Sequence, residues 1–169
     1  GGLWTDSMSI VTYIGMGSNL GDSAQILKEA VAQLATLGTV SVSRLYQSPP
    51  MGPQDQPNYH NAVARLVTDL EPLLLLDELQ RFELESGRVR LRHWGERTLD
   101  LDILLYGEKN IINDRLTVPH VGILERDFVV IPLLDLDAEL QINGIALHSL
   151  DLVQQSTLTV LEGSSWAQH

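Results

Sequence analysis

The 169 residues contain no cysteine, which removes disulfides, thiolate metal sites and cysteine nucleophiles from consideration at once. Nothing in that composition points to an oxidising compartment, and the cytoplasm is the expected location. Cations are scarce too. Eleven Lys and Arg stand against 22 Asp and Glu, a formal net charge of −11, which argues against general binding to nucleic acid or to an anionic membrane. No apolar run approaches the ~20 residues of a membrane-spanning helix, and Gly1 to Ser7 lacks the charged-then-apolar pattern of a secretory leader. Residues 1–7 read as a tag remnant or a disordered tail, with Met8 as a natural start. Two more absences concern chemistry. No Gly-Lys-Ser/Thr follows a glycine-rich loop, so there is no Walker A motif, and no His-x-x-x-His spacing offers a zinc site.

What is present reads as one compact domain over residues 8–162, with a loose tail at 163–169. Ile10 to Gly15 is a short apolar strand, and Asp22 is placed to cap a helix whose apolar positions Ile26, Leu27, Ala30, Val31 and Leu34 follow helical spacing until Gly38 closes it. Thr39 to Gln47 alternates as a strand before the Ser48-Pro49-Pro50 break. Asn61 to Asp69 is a third strand, Pro72 opens a helix that runs to Gly87, and Leu99 to Leu105 is a fourth strand. The order strand-helix-strand-strand-helix-strand predicts an α+β fold with a ferredoxin-like βαββαβ core and a mainly antiparallel sheet. C-terminal additions follow: a short strand over Arg115 to Val118, a helix over Glu125 to Leu134, and a strand over Leu140 to Ile145 around the Asn143-Gly144 turn signal.

Four of the 11 cations, Arg88, Arg90, Arg92 and Arg97, fall within ten residues beside His93. A solvated basic loop explains them; in an acidic chain they also suit a small polyanion, because guanidinium forks pair bidentately with phosphate oxygens. Directly after them, alternation along Leu99-Asp100-Leu101-Asp102-Ile103 places three apolar side chains on one face and two carboxylates on the other, their backbones ~6–7 Å apart. A half-buried strand with a solvated acidic face explains the pattern by itself. Next to phosphate-binding arginines, the pair matches a hard divalent cation, magnesium before zinc, since its donors are oxygens.

Gly15-Met16-Gly17-Ser18-Asn19-Leu20-Gly21 has the spacing G-x-G-x-x-x-G, and no ribose-binding acid ends the next strand, so a structural turn with some backbone approach to a ligand is favoured over a dinucleotide site. The prolines around Met51 stiffen a loop that leads to Tyr59, which can stack on a planar ring or pack at the core edge, and to Asn61, whose amide offers a donor and an acceptor. No serine sits in a nucleophile elbow.

Together, the run from His93 to Leu104, the Gly17-Ser18-Asn19-Leu20-Gly21 segment, the loop from Ser48-Pro49-Pro50 to Asn61, Pro119-His120 and Arg126-x-Phe128 resemble hydroxymethyl-dihydropterin pyrophosphokinases over about Thr12 to Leu140. The resemblance implies ATP as co-substrate, two Mg²⁺ ions, and diphosphate transfer to a pterin hydroxymethyl group with AMP leaving. It implies metal binding by Asp100 and Asp102, and catalysis by these two with Arg88 and Arg97. The nucleotide side would comprise Gln80, Glu83, Arg88, Arg90, Trp94, Arg97, Ile103, Arg115, Thr117, His120 and Arg126. The pterin would meet Ser48, Pro49, Met51, Tyr59, Asn61, Asp100 and Phe128. Glu96, His93 and Val121 depart from the commoner residues. The implied partners are small molecules, with no nucleic acid and no membrane, and a monomer is the simplest assembly. A nucleotide-sensing regulatory domain without turnover is the alternative of a different kind.

Overall fold

A computed structural model of the chain describes residues 9–20, 22–50, 55, 57–87 and 98–168. Its centre is an antiparallel sheet made of β1 (Ile10–Ser18), β2 (Gly38–Val42), β3 (Leu45–Ser48), β4 (Tyr59–Thr68) and β5 (Asp100–Tyr106). The strands run in the order β3-β4-β1-β5, with β2 also on β4. If β2 and β3 are counted as one broken strand, the four strands carry the ferredoxin-like order. The helices α1 (Ser23–Leu34) and α2 (Pro72–Gly87) occupy the two crossovers.

The predicted strand over Thr39 to Gln47 is interrupted at Ser43. There the Ser43 N–H donates to Val63 O and the Val63 N–H donates to Ser43 Oγ, both at 2.9 Å. The serine side chain thus takes one place in the ladder, and β2 and β3 pair with different ends of β4. Gly38 does not close α1, which ends at Leu34; it opens β2. A Cβ on Gly38 would stand 2.0 Å from Val67 O, so the close approach of β2 to β4 requires glycine.

Alternation gives the sheet two apolar faces. Ile14, Met16, Ala62, Ala64, Leu66, Leu101 and Ile103 pack under α1 and α2, together with Leu27, Leu34, Leu75, Leu79 and Phe82. Tyr13, Val63, Leu104 and Leu105 face the other way, against α3 (Asp127–Leu136) with Val130 and Leu133. Leu104 and Leu105 share a face because the register shifts there: Ile14 pairs with Ile103 and Tyr13 with Leu105, which leaves Leu104 as a bulged residue.

The remaining pieces follow in chain order: the hairpin β6 (Ile111–Ile112) with β7 (Thr117–Val118), the hairpin β8 (Gln141–Ile142) with β9 (Ile145–Ala146), the short helix α4 (Asp151–Gln155) and β10 (Thr159–Glu162). The Asn143-Gly144 signal holds, with φ of 50° and 84° closing the β8–β9 turn. The expected loose tail does not hold for residues 163–168. β10 joins the sheet beside β3, and Trp166, 8% exposed, enters the core while its Nε1–H donates to Ser43 O at 2.8 Å.

Candidate active site

The pocket lies on the face of the sheet opposite α1 and α2, where the central strand carries no side chains. β1 extends to Ser18, so Gly15 and Gly17 belong to a strand and not to the turn expected from their spacing. Gly17 pairs with Asn61 on one side and Asp100 on the other, and Gly15 pairs with Val63 and Asp102. Two strand spacings therefore separate Asn61 from the carboxylate edge, about 10 Å across a floor of bare backbone. A Cβ on Gly15 would stand 3.3 Å from Leu104 Cδ2 and one on Gly17 3.4 Å from Asn61 Nδ2, so larger residues would fill the floor.

Around this floor the described residues enclose a cavity of about 130 Å³. Tyr59 and Ser48 come from the β3–β4 side, Phe128 and Val129 from the start of α3, and His120 and Arg126 from the turn between β7 and α3. Eight of the residues singled out in the sequence thus meet in one place: Ser48, Tyr59, Asn61, Asp100, Asp102, His120, Arg126 and Phe128.

Local bonds fix how these groups point. The Ser48 hydroxyl donates to Asn61 Oδ1 at 2.6 Å, with both residues buried, so the amide keeps its Nδ2 end over Gly17 as a donor. Glu83 Oε2, from α2, accepts the Leu101 N–H at 2.7 Å and anchors β5 between its two aspartates. Asp102 is exposed and Asp100 half-buried. Both offer oxygen donors, and among the described residues no group of three or more His, Cys, Asp or Glu converges. Two carboxylates that offer oxygen donors suit a hard cation that completes its shell with water and substrate phosphates, so the donor set fits magnesium.

Other expected residues lie elsewhere. Arg115 Nη2 donates to Asp77 Oδ1 at 2.7 Å and to Gln80 Oε1 at 3.1 Å, which ties the β6–β7 hairpin to α2. Gln80, Glu83, Arg115 and Thr117 do not line the cavity. The Ile103 side chain is 3% exposed in the core under the helices, so any contact it makes with a nucleotide would come from its backbone. Pro49 borders a shallow groove beside Phe128 instead of the pocket. Met51, Arg88, Arg90, Trp94 and Arg97 lie outside the described residues.

Neighbouring elements are held by polar groups. Asp135 of α3 accepts from Arg44 Nε at 3.3 Å, Arg44 Nη2 at 3.2 Å and Tyr46 OH at 2.6 Å, clamping α3 to β3. Burial and the bond to Asp135 push the Tyr46 hydroxyl well above its ordinary pKa. His60, between Tyr59 and Asn61, turns to the opposite face. Burial lowers its pKa, Glu162 partly opposes that shift, and its Nδ1 has no hydrogen-bond partner among the described residues.

A ferredoxin-like α+β domain with a carboxylate edge, a wall carrying Arg126 and His120, and an aromatic and amide edge around one floor fits a class, the transferases that join an anionic donor to a planar acceptor. The chain belongs to the family described as 7,8-dihydro-6-hydroxymethylpterin-pyrophosphokinase (HPPK), whose family model matches residues 13–138. It is 54% identical over 134 residues to the 2-amino-4-hydroxy-6-hydroxymethyldihydropteridine pyrophosphokinase of Haemophilus influenzae, covering 78% of this chain and 84% of that protein. The protein of the same description from Bacillus subtilis is 42% identical over 132 residues, with 76% and 79% covered. Among solved structures, a wild-type Plasmodium falciparum HPPK-DHPS with pterin and p-hydroxybenzoate has the same fold, with a TM-score of 0.65 at 15% identity over 90% of this chain. This chain spans about half the length of such bifunctional chains, 45% in that case.

Sequence reasoning brought the backbone of Gly15 and Gly17 near a ligand but placed it in a turn, and it missed Ala62, Val63, Leu104 and Val129, which line the pocket with them. For the two glycines a signal existed, since small residues in an otherwise apolar strand mark a close approach. Knowing which face they open needs the register.

Proposed function

We propose that this chain transfers the terminal diphosphate of ATP to the hydroxymethyl group of 6-hydroxymethyl-7,8-dihydropterin, releasing AMP, in folate biosynthesis. The observation that carries the reading is the pocket itself: Asp100 and Asp102 on one edge of a glycine floor face Asn61, Tyr59 and Phe128 on the other. Family membership supports it.

In this reading Tyr59 and Phe128 hold the flat pterin between them, while the Asn61 amide, oriented by Ser48, donates to the heterocycle edge. The backbone around Ser48, Pro49 and Met51 completes that edge. Asp100 accepts a hydrogen bond from the hydroxymethyl group and turns its oxygen toward the donor. Asp102 and Asp100 hold two Mg²⁺ ions, which, when bound, supply charge neutralisation to the phosphates. Arg88, Arg90, Arg97, Arg126 and His120 pair with phosphate oxygens, and Gln80, Glu83, Trp94, Ile103, Arg115 and Thr117 serve the rest of the nucleotide. The hydroxymethyl oxygen bonds to the β-phosphorus in line and gives up its proton to solvent, while the bond from that phosphorus to the oxygen bridging to the α-phosphate breaks and AMP leaves with that oxygen. Positioning and charge stabilisation carry the rate.

We place the active unit in residues 8–162 together with the C-terminal turn whose Trp166 completes the core, acting as a monomer in the cytoplasm. Among the described residues no helix is long and apolar enough to cross a membrane. The deciding assay supplies ATP, Mg²⁺ and hydroxymethyl-dihydropterin. AMP formed in step with pterin diphosphate supports the reading; ADP would indicate a kinase, free pyrophosphate a nucleotidyl transferase, and no ATP consumption a binding domain.

A further inference from the structure

The turn between β7 and α3 brings two pocket side chains under the control of one glycine. The Gly122 N–H donates to His120 Nδ1 at 3.1 Å, so the neutral imidazole keeps its own proton on Nε2. The bare Cα of the same residue is covered by the Arg126 side chain. A Cβ there would stand 2.8 Å from Arg126 Nε, 3.1 Å from Cζ and 3.4 Å from Cδ, so no L side chain fits while that guanidinium stays where it is.

The surrounding backbone is held without help from the guanidinium. Ile123 N donates to His120 O at 3.0 Å, Glu125 N to Gly122 O at 3.1 Å, and Val129 N and Val130 N to Arg126 O at 3.0 Å. Gly122 has no left-handed φ, unlike Gly107 and Gly144, so alanine meets no backbone strain there. The group that would yield to a methyl is the far end of a flexible arginine. Displacement would also cost Arg126 its place 5.9 Å from the Phe128 ring centre.

We propose that Gly122 is a positioning residue, which seats the Arg126 guanidinium and sets the His120 tautomer at the polyphosphate side of the pocket. The proposal rests on the diphosphotransferase reading above. Gly122 touches no substrate; it acts through its two neighbours.

The test uses the full chain as wild type, Gly122→Ala, Arg126→Ala and the double variant. Equilibrium binding of a non-hydrolysable ATP analogue with Mg²⁺ is measured beside pterin binding and the thermal midpoint. Gly122→Ala should weaken the analogue about tenfold, the scale of a lost charge-assisted bond, and leave the midpoint unmoved. Pterin affinity should stay within about twofold, and in the Arg126→Ala background the extra loss should also stay within about twofold, since both changes remove one interaction. Wild-type nucleotide affinity in Gly122→Ala, or an equal penalty in both backgrounds, overturns the proposal. If the wild type binds no nucleotide, the diphosphotransferase reading falls separately. The Arg126 Hε–Nε nuclear magnetic resonance signal then decides the packing claim: a signal moved by Gly122→Ala supports it, and an unmoved one overturns it.

Discussion

Asp102 combines exposure with a place on the pocket edge, so its carboxylate contributes hardly to folding, and the proposed function gives it a role in the chemistry. Asp102→Ala should abolish Mg²⁺-dependent AMP release while shifting unfolding free energy by no more than about 0.5 kcal/mol, as for other surface changes. Turnover near wild type would remove the metal assignment. His60 is the opposite case, a residue that serves packing in a strand that serves the site. Burial lowers its pKa from 6.5, so below that value the unfolded chain binds a proton that the folded chain resists. Its contribution to stability is therefore complete above pH 6.5 and declines as pH falls toward the depressed folded value. His60→Leu should flatten that part of a urea midpoint-against-pH curve, and an unchanged curve would show that other groups set the acid limb. Leucine also removes a buried Nδ1 that has no partner among the described residues, so stability at neutral pH should not fall.

At the scale of elements, the pocket depends on contacts that seat α3 and align β2. Tyr46→Phe deletes the hydroxyl that donates to Asp135 at 2.6 Å. It should lower stability by about 1–3 kcal/mol, the range for a bond to a charged group, and loosen the pocket wall at Phe128, which the proposed function assigns to the pterin. Chemical denaturation checks the first effect and pterin titration the second. Gly38→Ala sets a methyl against the Val67 carbonyl, which is backbone and cannot step aside. A loss of about 3 kcal/mol is expected, at the upper end of overpacking costs. A melting temperature equal to wild type would mean that β2 can move off β4. Both elements were only half legible in the sequence. Alternation over Thr39 to Gln47 revealed a strand, yet the break at Ser43 depends on a side chain bonding to a strand 20 residues away.

For the whole molecule, the C-terminal turn closes the core that the helices leave open. Trp166 is buried among residues that include Leu27 and Leu45, and it bonds to the break between β2 and β3. Trp166→Ala should cost about 3–5 kcal/mol, the usual price of deleting a buried aromatic. Saturating ATP analogue and pterin should recover part of it, because ligands that bind only the folded state raise its stability by mass action. A urea midpoint unaffected by the substitution would return the tail to the loose segment that its composition suggested.

By itself the sequence determined the order of the core elements, the pairing of apolar and acidic faces along β5, and most side chains that line the pocket. Those are local properties: periodicity sets which residues share a face, and a motif records which chemistry is carried together. Only the tertiary structure decided that Gly15 and Gly17 are a floor and not a turn, because their meaning lies in pairing with Asn61 and Asp100 on two strands distant in the chain. The fold alone likewise separated Ile103, Arg115 and Gln80 from the cavity, and it buried a polar-looking tail through Trp166. Long-range register, a β-bulge at Leu104 and the close approach of Arg126 to Gly122 arise from contacts across the chain, and no window of neighbouring residues encodes them.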